Sequence, residues 1–193
     1  MDNQINEIII EEIKDAKGNL LKAISMKNGV PHGETKIFDE NGQLSNKLIY
    51  VDGELSGPAE FFFTGKPLML ASFKNGKLDG EAILFSNGIK VGLANFKNGL
   101  FEGEFTSFDN VGNIIRIAVY EHGMQNGECR SFYPDGTLME QSNYVNNQLD
   151  GEVVKYYPSG DIMEISVFQK GKPYGVIDTY DEDGHLKSRK EVA

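Results

Sequence analysis

The string FKNGKLDGE, residues 73–81, carries two glycines four residues apart, with an aromatic residue before them and an acid after. Alone, it reads either as a phosphate-cradling glycine loop or as punctuation in a repeated structural unit. The string FKNGLFEGE at residues 96–104 is nearly the same. In all, the motif occurs seven times, as MKNGVPHGE from Met26, YVDGELSGP from Tyr50, FKNGKLDGE from Phe73, FKNGLFEGE from Phe96, YEHGMQNGE from Tyr120, YVNNQLDGE from Tyr144 and FQKGKPYGV from Phe168. The starts lie 24, 23, 23, 24, 24 and 24 residues apart. A fixed period of this length is the mark of a repeat architecture.

The second glycine of the string is unbroken: Gly33, Gly57, Gly80, Gly103, Gly127, Gly151 and Gly175. Five residues after each stands an aromatic: Phe38, Phe62, Phe85, Phe108, Phe132, Tyr156 and Tyr180. A third glycine follows four residues later, or three later in the second and third units, which accounts for the two shorter periods. Each unit therefore reads as strand, turn, strand, turn, with the first strand following the unbroken glycine. Short runs rich in β-branched and aromatic residues support this. Asn41-Gly42, Asn75-Gly76, Asn98-Gly99 and Asp135-Gly136 suit the primed hairpin turns, which require positive φ. In the sixth copy Asn147 replaces the first glycine. Asn is the other residue that enters the left-handed region readily, so the exception supports a conformational role.

Strand alternation assigns the faces. The column Met26, Tyr50, Phe73, Phe96, Tyr120, Tyr144 and Phe168 shares a face with Ile24, Leu48, Ala71, Ala94, Ala118, Ser142 and Ser166, two residues earlier. Large rings beside small residues make a core face. The expected fold is all-β: tandem hairpins of 23–24 residues, about fourteen strands, stacked into one elongated, twisted antiparallel sheet. The expected boundaries are a degenerate N-terminal cap at 1–17, the repeat array at 18–187 and a C-terminal tail at 188–193, which can supply one last edge strand. Within the cap, Ile5, Ile8, Ile9, Ile13 and Ala16 fit both a capping strand and one face of a helix.

The unit GECRSFYPDGTLMEQSNYVNNQLDG, from Gly127, resembles the MORN repeat, specifically the variant of bacterial YwqK-like antitoxin proteins. The likeness covers roughly residues 18 to 187. It implies stacked β-hairpins and binding in place of catalysis, with roles as scaffold, dimerisation module, lipid-associated protein or toxin neutraliser. The chain lacks the denser Gly and Tyr pattern of the standard eukaryotic repeat, which weakens the lipid reading.

Composition narrows the partners. With 19 basic and 29 acidic side chains the formal charge is −10. Nucleic-acid binding needs a basic face, and so does an anionic membrane surface. An acidic chain suits a basic protein partner. The single Cys129 excludes an internal disulfide, and no run reaches the roughly 20 apolar residues that span a bilayer. The first residues lack a basic region followed by an apolar stretch, so a cytoplasmic location is expected.

No chemistry-bearing motif emerges. Neither the P-loop nor the dinucleotide-binding fingerprint is present. Cys129 stands in a mostly apolar column and reads as a packed thiol. His32, His122 and His185 occupy three different repeat positions, which gives no metal-ligand spacing. Asp181, Asp183 and Gly184 resemble a calcium loop only in part and coincide with the ordinary turn. No catalytic, cofactor or metal residue is expected.

Two sets of residues are candidates for partner binding. Glu81, Glu104, Glu128 and Glu152, with Glu34, follow the unbroken glycine and would stand about 10 Å apart, two strand spacings. They read either as a strip for a cationic partner or as solvated glutamates that cap backbone N–H groups in the turns. The column Asp39, Phe63, Ser86, Asp109, Tyr133, Tyr157 and Asp181 reads as solvent-facing. Its Phe63, Tyr133 and Tyr157 are then either exposed interface anchors or extra packing. The function expected is non-enzymatic protein binding, foremost an immunity or antitoxin protein acting on a toxin, with a scaffold or homodimerising module second.

Overall fold

In three dimensions FKNGKLDGE divides in two. A computed structural model, which describes residues 7–192, confines the turn to Asn75 and Gly76, with φ of 50° and 75°. Two successive positive values define the primed two-residue hairpin turn, whose twist matches the strands it joins. From Lys77 onward the chain is already strand.

All regular elements among the described residues are β-strands. The first are β1 (Ile8–Lys14), β2 (Leu20–Lys27), β3 (Val30–Phe38), β4 (Leu44–Val51), β5 (Glu54–Leu55), β6 (Gly57–Phe63), β7 (Lys66–Lys74), β8 (Lys77–Ser86) and β9 (Ile89–Lys97). There follow β10 (Leu100–Phe101), β11 (Gly103–Phe108), β12 (Ile114–Glu121), β13 (Met124–Phe132), β14 (Leu138–Val145), β15 (Gln148–Leu149), β16 (Gly151–Tyr156), β17 (Ile162–Gln169), β18 (Lys172–Tyr180) and β19 (Leu186–Val192). The surplus over fourteen is β1 and β19 at the ends and the two-residue strands β5, β10 and β15. Of the cap residues, Ile8–Lys14 form an extended strand and Ile5 lies outside the described residues. β19 crosses the boundary expected at 187/188.

The chain divides into two compact units. One comprises Met1–Lys90 with Phe96–Gly99, the other Val91–Asn95 with Leu100–Ala193. In each, hairpins pair antiparallel in chain order, as in β3–β4, β6–β7, β13–β14 and β16–β17.

In three units the first strand begins at the unbroken glycine, as expected (β6, β11 and β16), but in the other four β3, β8, β13 and β18 run through it. Phe73 faces Leu78 and Ala71 faces Ala82, so a two-residue step on β7 is matched by a four-residue step on β8. The surplus forms a bulge holding Gly80, with φ 110°. The same mismatch recurs at β2–β3, β12–β13 and β17–β18. Lys77-Leu78-Asp79-Gly80 looks like loop because polar residues and glycine are poor strand formers. Pairing with β7 overrides that preference.

The third-glycine turns are of two kinds. Thr64-Gly65 and Asn87-Gly88 are two-residue turns with positive φ throughout. They serve the two shorter units. Asn41-Gly42 and Asp135-Gly136, expected to be primed, belong to a longer turn in which only the glycine has positive φ. There the Gly42 amide donates to the Asp39 carbonyl and the Asp39 amide to the Gln43 carbonyl. Asp39 Oδ1 accepts from the amides of Asn41 and Gln43, and Asp109 and Asp181 do the same in their turns. An aspartate at the turn start fits because its carboxylate satisfies amides that the tightened backbone leaves over.

Among the described residues, substantial contacts run between ladder neighbours, with no second layer packed on either unit. The core is correspondingly thin. Its buried members are mostly small, Ala59, Ala71, Ala82, Ala94, Ala118, Cys129, Ser142 and Ser166, joined in the same columns by Leu48 and Val153. In a single layer, short side chains are the easiest for neighbours to cover. The rings beside them stay half-buried, with edge and tilted contacts such as Phe101–Phe105 at 5.7 Å and Phe101–Tyr120 at 5.3 Å.

Successive hairpins are stitched at the string's first glycine. The Gly76 amide donates to Leu55 O, Gly99 to Leu78 O, Gly123 to Phe101 O and Gly171 to Leu149 O. Asn147 makes the same bond to Gln125 O at 2.9 Å with φ 67°. Its Oδ1 also accepts from the Gln125 amide at 2.7 Å.

Candidate functional site

In a strand, residues one apart face opposite sides, and this separates the acids around the turns into two groups. Asp79, Glu102 and Asp150, just before the unbroken glycine, serve the turns. Asp79 Oδ2 accepts from the Asn98 amide at 3.3 Å, Glu102 Oε2 from His122 at 2.9 Å and Asp150 Oδ2 from Lys170 at 3.1 Å. The glutamates after the glycine have no such bond among the described residues, so turn capping falls to their neighbours.

Those glutamates lie on the face opposite the small-residue core. Glu34 pairs with Ile49 and Glu128 with Asn143, whereas Thr35 and Cys129 pair with Leu48 and Ser142 of the core column. Glu34 is held by Lys36 at 2.9 Å and Lys47 at 3.6 Å, and the Lys36 ammonium holds its carboxyl below the usual range. Glu128 meets Arg130 at 2.9 Å, and Glu104 accepts from Thr106 Oγ1 at 3.2 Å. Glu81 and Glu152 are exposed. A hollow opens between adjacent glutamates in the second unit, walled by Glu128, Asn143, Glu152, Val154 and Tyr156. Its counterpart in the first unit lies among Pro58, Leu70, Ser72, Glu81 and Ile83. Carboxylates at the rim and apolar side chains in the wall suit a lysine or arginine with its aliphatic stem.

The three aromatics separate. Phe63 is exposed at 71%. Tyr133 and Tyr157, for which exposed anchor and extra packing were both open, are half-buried. They start long turns, where aspartate stands in other units. The Tyr133 hydroxyl donates to Tyr156 O and that of Tyr157 to Tyr180 O, both at 2.8 Å, so each ties its turn to the next hairpin. Tyr157→Phe is expected to cost about 1 kcal/mol, the usual worth of one such bond. A urea midpoint equal to the parent's would show that the hydroxyl carries no stabilisation.

A polar cluster on the core face has no counterpart in the sequence reading. Arg116 Nε donates to Cys129 Sγ at 3.2 Å and Nη2 to Gln125 Oε1 at 3.4 Å. Cys129 is 3% exposed. The available signal is that Gln125 replaces an apolar residue, since the positions paired like it with the ring column hold Pro31, Leu55, Leu78, Leu149 and Pro173. The side-chain ligand atoms of Asp181, Asp183 and His185 lie within 4.8 Å of one another. Asp181 Oδ1 is engaged by the amides of Asp183 and His185, the arrangement of the ordinary long turn.

Several carboxyls, three at turns and Asp178 on β18, sit below their ordinary value of 3.8. The cause is the Asn98 amide at Asp79, the Thr137 amide at Asp135, the His185 amide at Asp181 and the Arg189 guanidinium at Asp178. A depressed carboxyl stabilises the fold above its unfolded pKa, and this is lost as pH falls through the folded value. The melting temperature should therefore hold between about pH 7 and 5 and drop below about pH 4. A flat profile to about pH 2 would contradict these carboxylate bonds.

The geometry defines a class: single-layer units of β-hairpin repeats, stitched at turn glycines, with one acid-rimmed face and no assembled catalytic group among the described residues. The family model described as MORN repeat variant matches residues 31–52, 125–146 and 149–170. Each matched stretch is one hairpin, taken from its bulge to the next turn. Over these stretches the chain is similar to MORN repeats, a type that marks a binding module and is generally non-enzymatic. No curated protein matches the chain. No helix among the described residues is long and apolar enough to cross a membrane.

Proposed function

We propose that this chain is a protein-binding module that neutralises a cognate toxin by docking its glutamate face on a basic surface, as the resemblance to YwqK-like antitoxin proteins implies. The carrying observation is the division of labour among the acids. Asp79, Glu102 and Asp150 cap the turns. That leaves the glutamates after the glycine without a turn role, and a hollow lies between Glu128 and Glu152. The formal charge of −10 supports the same reading by steering a cationic partner at long range. A basic nuclease is the toxin class that best fits these charges.

The test is co-expression with the product of the flanking gene, scored by growth and by co-purification. The parent chain should restore growth. Glu128→Lys with Glu152→Lys should abolish rescue while leaving the melting temperature within a few degrees. A harmless flanking product, or full rescue by the double variant, would refute the proposal.

A further inference from the structure

The two terminal strands are unlike each other. Among the described residues β1 pairs only with β2, and β19 only with β18. Edges of natural sheets are guarded by charge, proline or bulges, because unpaired N–H and C=O groups recruit further strands. β19 carries Lys187, Arg189, Lys190 and Glu191. β1 carries Glu11, Glu12 and Lys14 in its second half, but its first half presents Ile8, Ile9 and Ile10, exposed at 53%, 59% and 70%. We propose that copies of this chain join head to tail, β1 of one copy adding to β19 of another as the next strand of the ladder.

Strand polarity permits the junction. In every hairpin a first strand pairs with a second, as β3 with β4 and β18 with β19. Each second strand then pairs antiparallel with the first strand of the next hairpin, as β2 with β3, β7 with β8 and β17 with β18. Among the described residues, β19 is a second strand with no first strand paired beyond it, and β1 a first strand with no second strand paired before it. Each supplies what the other lacks.

The repeat register then fixes which residues meet. At the existing junctions Ile24 faces Thr35, Ala71 faces Ala82, Ala118 faces Cys129 and Ser166 faces Ile177. All belong to the core column. Lys190 occupies that column in β19, because it pairs with Ile177, and Glu11 occupies it in β1, because it pairs with Ile24. The same register therefore sets Lys190 opposite Glu11 of the neighbouring copy. The column is small or apolar at every junction inside the chain and carries opposite charges at its two ends. One residue along, Arg189 falls opposite Glu12, where it would sit between Glu12 and its own Asp178 partner at 2.7 Å. The unbroken glycine has its counterpart in Ile9, so β1 lacks the bulge residue. An unbulged continuation sets Ile9 opposite Val192.

The contact joins two different edges, so it grows without closing at a dimer. This inference stands apart from toxin binding, and its test uses the chain alone. Light scattering over a concentration series should show a mass that rises past the dimer without a plateau. Lys190→Glu, which faces Glu11 with like charge, should weaken association at least about tenfold. Glu11→Lys should do the same, and Glu11→Lys with Lys190→Glu in one chain should restore it. Mixing the two single variants restores opposite charges at both junctions between unlike copies, so the mixture should again grow past the dimer. A chain that stays monomeric throughout overturns the proposal. So does a plateau at the dimer in the parent, indifference to Lys190→Glu, or failure of the double variant to recover.

Discussion

Gly57→Ala is expected to lower the unfolding free energy by about 3 kcal/mol, and Gly103→Ala by only about 1 kcal/mol. Both glycines occupy the same repeat position, so a sequence argument assigns them equal cost. The structure does not. Gly57 has φ 128°, and a Cβ there would lie 3.2 Å from Ile49 Cβ and 3.3 Å from its Cγ2. Ile49 is β-branched and its Cβ is fixed to the backbone, so relief requires movement of β4 itself. Gly103 has φ 82° and nothing within 4 Å of the added atom. Alanine there carries the backbone strain alone. Urea unfolding of the two variants separates the terms. Equal losses would show that φ alone holds this column to glycine.

Ala71→Asp is expected to cost about 3–5 kcal/mol, because an uncompensated carboxylate replaces a methyl group in the core column. Ala71 is 6% exposed and lies between Ala59 and Ala82, each 1% exposed. Ala71→Ser should cost far less, since Ser142 and Ser166 fill the same column, 3% and 2% exposed. The acid variant also reverses the usual pH behaviour. Burial raises the pKa of the new carboxyl, so part of the loss should return on acidification toward about pH 5, where the parent is unaffected. An Ala71→Asp chain as stable as Ala71→Ser would mean that the column is open to water.

The periodic part of the fold was readable because each hairpin repeats the same demands. The glycine columns, the ring column and the small column each recur seven times, and their faces follow from strand alternation. The bulge was hidden, because Lys77-Leu78-Asp79-Gly80 has loop composition and only its partner β7 makes it strand. Turn type was hidden too. Asn41-Gly42 and Asn75-Gly76 are the same dipeptide, and the spacing from the preceding aromatic decides between them. The glutamate column was found, but its role was open between turn capping and partner binding. Capping went to Asp79, Glu102 and Asp150, one residue away on the other face. The role of Tyr133 and Tyr157 stayed open between anchor and packing because aspartate shares their column. Aspartate there binds amides of its own turn, and tyrosine reaches the next hairpin from the same place. At the N-terminus, Ile8, Ile9 and Ile13 satisfy both periods, and pairing with β2 chose the strand.

Hydrogen exchange of single amides tests most directly the claim that the hairpins are stitched at the string's first glycine. The amides of Gly76, Gly99, Gly123, Asn147 and Gly171 sit in turns at the surface, where exchange would ordinarily be fast. Each donates to a carbonyl of the preceding hairpin. They should exchange at least about a hundredfold more slowly than unstructured amides and recur at the repeat period. Exchange at unprotected rates at these five positions would contradict the account.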